Sequence, residues 1–305
     1  MQEKGGLGKS ASLLARRGAM EMTTDDRDEA WAMKAARSKA MTVVERWIGH
    51  SPMSDPAGHA GLVAELPFGC RALNRVVQGL LIHIDWLGAY GVGCDQLRSD
   101  ARSTLPVAHR LADILAVDPR PLSAPRAPQQ RSAGTCRDFA LMLTSFLRCK
   151  GVPARLRCGF ASYLGPGFED HWVCEFWHRP THAWRVCDPQ LDEIMTSRLA
   201  VEFDPANVPR ASFLTAGEAW LNCRAGRSDP RRFGHGEATG LWFLRLNVLR
   251  DHFALNGAET SAWDDWRATP PARRVVGGEG MDLADRLAAH PEAELTEVRP
   301  DWLDP

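Results

Sequence analysis

The densest apolar run in the chain follows a small turn, Gly134-Thr135, and recurs at helical spacing through Phe139, Leu143, Phe146 and Leu147. It predicts a buried helix that opens at Cys136 and stops at Lys150-Gly151-Val152-Pro153. Three strand-like segments follow, at 154–160, 170–177 and 183–189. Trp172, Cys174 and Phe176 alternate along the second, and Asp188-Pro189 turns the chain out of the third. Helices are also predicted over 73–87, 100–117, 213–223 and 241–255, the last closed by Asn256-Gly257. Another is predicted over 28–50, with Trp31, Met33, Ala36, Met41, Val44 and Trp47 as a loose stripe. Four prolines between 118 and 130 make an extended connector into the Cys136 helix.

These elements divide into a helical or flexible segment over 1–60, a mixed core with its preceding helices over 61–200, and a mostly helical extension over 201–305 that packs on that core. Hydrophobic content of 44% and charged content of 25% suit a globular protein with a sizeable core. A formal net charge of −1 with mixed signs gives no basic footprint, which argues against a nucleic-acid partner. No stretch reaches transmembrane length, and charges run through the first forty residues without an apolar signal core. Eight cysteines scattered over 305 residues form no disulfide framework. A cytoplasmic protein with reduced thiols is the expectation.

Candidate chemistry gathers on the central elements. A thiol in the first turn of a helix meets unpaired backbone N–H groups and the positive end of the dipole, so Cys136 is placed to ionise and react as thiolate. A nucleophile also needs a base held by a third group. If the last two strands form a hairpin turning near His178 to His182, His171 and Asp188 meet at its open end. There His171 takes the thiol proton and Asp188 holds the other ring nitrogen.

Gly-x-Cys-Arg-Asp-Phe-Ala at 134–140, Gly-Val-Pro-Ala-Arg at 151–155, Asp-His-Trp-Val at 170–173 and Trp-Arg-Val-x-Asp-Pro at 184–189 occur in this order. Together they resemble the core of the transglutaminase-like superfamily, as found in bacterial-type transglutaminase-like domain proteins, over about residues 131–192. The resemblance implies an α+β, papain-like fold with helical extensions on both sides. It implies Cys136 as nucleophile, His171 as base and Asp188 as the orienting carboxylate. Where the family often has Thr after Asp-Pro, this chain has Gln190.

The reaction this implies is acyl transfer through an acyl-Cys136 intermediate to an amine acceptor. Hydrolysis by a cysteine peptidase or amidase, and a non-catalytic peptide-binding module, are the alternatives. The substrate is expected to be a small-molecule, peptide or carrier-bound acyl group, with no cofactor, no metal and no membrane partner. One oxyanion donor is the Cys136 N–H; Gln78 and Trp86 are candidates for the second, and Tyr163 and Trp172 are candidates for substrate contact. Two weaker motifs remain. Lys4-Gly5-Gly6-Leu7-Gly8-Lys9-Ser10 resembles a phosphate-binding loop, but only three residues precede it where a buried strand is needed. Cys174, His178 and His182 have loose zinc spacing but fall on a strand and a polar turn.

Overall fold

The structure, a computed structural model, describes residues 43–96, 106–259, 274 and 276–293. The chain divides into two compact units, 1–43 and 44–305, and the sheet, its helices and the candidate chemistry all belong to the second. Lys4 to Ser10, the predicted helix up to residue 42, and Trp263, Trp266 and Trp302 lie outside the described residues.

Helix α1 (Cys70–Leu80) leads into strand β1 (Leu81–His83). Helix α2 (Val107–Val117) and strand β2 (Ser132–Gly134) precede the central helix α3 (Cys136–Cys149). Strands β3 (Ala154–Ala161), β4 (Phe168–His178) and β5 (Ala183–Cys187) come next. Then follow β6 (Phe213–Thr215), α4 (Ala216–Arg224), β7 (Phe233–His235), β8 (Ala238–Thr239), α5 (Leu241–Leu255) and α6 (Gly278–Ala289). The arrangement is the α+β one expected, with helices before and after a central sheet.

In that sheet β4 pairs antiparallel with β3 along nearly its whole length. Its other edge is shared: β7 takes Phe168 and Glu169, and β5 takes Cys174 to His178. Residues 170–173, which include His171, lie between those two partners. Trp172, Cys174 and Phe176 sink into a core under α3 with Phe139, Leu143 and Phe146. A second core joins Phe160 and Phe233 to Trp220 of α4, Phe243 and Leu249 of α5 and Leu287 of α6. Bonds between the layers are polar as well: Asp251 of α5 takes Arg157 of β3 through both carboxylate oxygens, at 2.9 and 2.8 Å.

One predicted helix divides. The segment 73–87 is helical only to Leu80; Leu81, Ile82 and His83 form β1, parallel to β2, and Ile84–Tyr90 is a 3-10 turn. All three β1 residues are buried. A continuous buried apolar run has no period that separates strand from helix, so pairing with a distant segment decides it.

Candidate active site

The Gly-Thr-Cys-Arg-Asp stretch has a local physical logic. Asp138 folds back over the start of α3, and its Oδ2 accepts the Thr135 N–H at 2.8 Å. A Cβ on Gly134 would lie 2.9 Å from that same oxygen, so the aspartate's return path requires glycine. Arg110 of α2 pairs with Asp138 at 2.9 Å and also donates to the Ala133 carbonyl at 2.8 Å. The first turn of α3 is thereby pinned from both sides. Cys136 is its first residue, 4% exposed, with its N–H among the unpaired amides of the helix end.

His171 and Asp188 arrive by register. Cys174 opposes Cys187 in the β4–β5 pair, so the next residue, Asp188, reaches the His171 side of β4. His171 Nε2 lies 2.7 Å from Asp188 Oδ2, leaving Nδ1 for the thiol. Burial by itself depresses the imidazole, but the Asp188 charge and hydrogen bond, with a smaller contribution from Cys136, outweigh it and raise His171 to about 10. At neutral pH the ring is therefore an imidazolium that donates to Asp188. Asp188 is fully buried, and its Oδ1 accepts the Gln190 N–H at 3.0 Å.

Cys136 and His171 line a cavity of about 340 Å³ together with His83, Asp85, Trp86, Glu169, Asp170 and Gln190, among others. A larger cleft of about 730 Å³ lies by the opposite end of β4, at Phe176 to His178, and none of the three residues lines it.

The other sequence candidates separate. Trp86 is at the cavity. Gln78 is elsewhere: its Nε2 donates to the Leu191 carbonyl at 3.0 Å, and it lines a different cleft. Tyr163, expected at substrate, donates its hydroxyl to Asp188 Oδ2 at 2.7 Å and sits edge-on to the His171 ring. Burial and the Asp188 charge hold its phenol well above the ordinary range, so it remains a donor. Trp172 is 1% exposed and lies in the core, with the guanidinium groups of Arg137 and Arg250 at 5.9 and 5.2 Å from its ring centre. Its side chain takes the face of β4 opposite His171 and packs in the core under α3.

Sequence reasoning misses four residues. His83 reads as core in the sequence; its strand pairs with β2 in the register His83 to Gly134, which sets it beside the Cys136 turn. Glu169 and His235 form a pair 2.5 Å apart on the cavity wall, brought together by the β4–β7 pairing. Gln190 stands out in the sequence only as a departure from the family pattern. Of these, only Gln190 carries a signal, through its place two residues after Asp188.

Among the described residues, no group of three or more His, Cys, Asp or Glu is placed to hold a metal ion. Cys174 is buried and takes the Thr144 hydroxyl at 3.2 Å, whereas His178 bonds Thr181 in the exposed turn. All eight cysteines are free. No helix among the described residues is long and apolar enough to cross a membrane.

No curated protein matches the chain. A solved structure from Cytophaga hutchinsonii, described as a "putative cysteine protease", is 16% identical, with a TM-score of 0.33. The match covers 56% of this chain and 44% of that one, so less than half of that protein's length is represented. The family model described as the transglutaminase-like superfamily matches residues 109–189, a span that runs from α2 beside Arg110 through Cys136 and His171 to Asp188. Over residues 109–189, about a quarter of its length, the chain is therefore similar to the transglutaminase-like superfamily.

Proposed function

We propose that this protein is a thiol enzyme that transfers an acyl group through an acyl-Cys136 intermediate to an amine. The observation that carries the reading is the 2.7 Å pair between His171 and buried Asp188, on a cavity that also holds Cys136. The thiolate attacks the acyl carbonyl, and the Cys136 N–H receives the developing oxyanion. His171 gives its proton to the leaving group and later takes one from the incoming acceptor. The Glu169–His235 pair on the cavity wall favours an amine, because an ammonium must lose a proton before it attacks and this pair offers a second base. Hydrolysis is the second reading, favoured by the polar lining: Asp85, Glu169, Asp170 and Gln190 admit water, and access of water decides between the outcomes.

The test is brief, substoichiometric iodoacetamide labelling followed by intact mass and peptide mapping. Selective labelling of Cys136 among the eight cysteines, lost in Cys136→Ala, is expected; labelling spread evenly over all eight would leave a binding module as the better reading. Acylating Cys136 with 4-nitrophenyl acetate, with and without added ethylamine, then separates the two fates. N-ethylacetamide as the main product supports transfer, and acetate alone supports hydrolysis.

Tyr163→Phe removes one of the two hydrogen bonds on Asp188 Oδ2. The carboxylate then acts on His171 undivided, so the alkaline limb of the acylation profile moves to higher pH. Acylation slows by about tenfold, the worth of one hydrogen bond to a charged group. A rate and profile identical to wild type would show that the hydroxyl has no positioning role.

A further inference from the structure

We propose that Gln190 supplies the side-chain hydrogen bond to the carbonyl oxygen that Cys136 attacks. The inference rests on the acyl-Cys136 reading and adds a catalytic residue to it. Gln190 is 3% exposed and lines the cavity that holds Cys136 and His171. Its Oε1 is buried without a hydrogen-bond partner. An idle carboxamide in a buried site is costly to a free protein, and such groups call for an explanation in use. With its Oε1 held by no partner, the amide is free to turn its N–H₂ toward the cavity.

The backbone that carries this side chain is unusually well held. The Gln190 N–H donates to Asp188 Oδ1 at 3.0 Å, and its carbonyl accepts the Asp192 N–H at 3.0 Å. Gln78 holds the next carbonyl, Leu191, at 3.0 Å, and Tyr90 donates to the Asp192 carboxylate at 2.8 Å. A donor fixed before the substrate arrives needs no reorganisation when charge develops, which is what makes such donors effective. The same bonds tie Gln190 to Asp188, so the donor and the triad carboxylate move as one piece.

The step balances simply. The thiolate forms a C–S bond, the carbonyl π pair moves onto oxygen, and that oxyanion accepts hydrogen bonds from the Cys136 N–H and Gln190 Nε2. Collapse restores the carbonyl and breaks the bond to the leaving group, which departs with the proton from His171.

Two thiol reagents separate this role from a structural one. Acylation by 4-nitrophenyl acetate passes through a tetrahedral oxyanion, whereas alkylation by iodoacetamide displaces iodide and forms none. In Gln190→Met, a variant of similar size, the ratio of the acylation rate to the alkylation rate at Cys136 is expected to fall by about 10²-fold, the usual loss for one oxyanion donor. Its melting temperature is expected to be no lower than wild type, since an unpaired buried amide has been removed. An unchanged ratio overturns the proposal, as does an equal fall in both rates, which would mean that Gln190 only supports the triad. A lowered ratio in Trp86→Phe but not in Gln190→Met assigns the donor to Trp86 and also overturns it. Wild-type protein with no selective labelling of Cys136 would instead remove the acyl-Cys136 reading, and the proposal with it.

Discussion

His171→Ala is expected to slow acylation of Cys136 by 4-nitrophenyl acetate by about 10²–10⁴-fold, the usual contribution of a positioned acid–base group. Under the proposed mechanism, the variant loses the group that exchanges a proton with the thiol and the leaving group. It also changes how stability depends on pH. The folded-state pKa of His171 is raised from 6.5 to about 10. A raised pKa means that protons are bound more tightly in the folded state, so this contribution is full below about pH 6.5 and is lost as pH rises through about 10. Denaturant unfolding of wild type should therefore show stability declining across that window by a few kcal/mol at most. In His171→Ala that decline should be largely absent. Equal slopes in the two proteins would mean that the imidazole is neutral in the folded state and that the ion-pair description of the site is wrong.

Asp251→Ala is expected to cost about 3–5 kcal/mol, the range for removing one partner of a buried ion pair. Asp251 is 1% exposed, and its carboxylate takes Arg157 Nε, Arg157 Nη2 and the Cys158 N–H. Its loss leaves Arg157 buried with Glu175 as its remaining acid, and a strand amide unpaired. The residue belongs to α5, far along the chain from Cys136, His171 and Asp188, yet its partners sit on β3, the strand that pairs with His171's own β4. A large fall in the denaturant midpoint, with Cys136 labelling intact in the protein that remains folded, is the expected pattern. A loss below about 1 kcal/mol would mean that solvent reaches Arg157 freely.

The central helix and the three following strands are legible in the sequence because each has its own period and its own stop. Gly and Pro end the helix at 150–153, and Asp-Pro ends the last strand. Trp172 is a misplaced substrate candidate for a reason the sequence already holds: alternation sets it opposite His171. Tyr163 cannot be resolved that way. It sits after β3 in a loop, where no period fixes direction, and only the folded loop brings its hydroxyl onto Asp188. His83 and the split of 73–87 are hidden because a buried strand and a buried helix look alike in composition, and the strand partner lies about fifty residues on.

Spacing, caps and turns place the candidate thiol at a helix start and order the elements that carry the candidate base and acid, whose roles the resemblance implies. Those are local properties of the chain. Which side chains share the cavity was settled by pairing over long range. The β1–β2 pairing sets His83 beside the Cys136 turn, the β4–β7 pairing joins Glu169 to His235, and the pinned turn after β5 holds Gln190 at the cavity with its Oε1 unpaired. The physical reason is that a cavity is made by distant segments meeting, and its chemistry depends on which polar groups that meeting leaves unpaired.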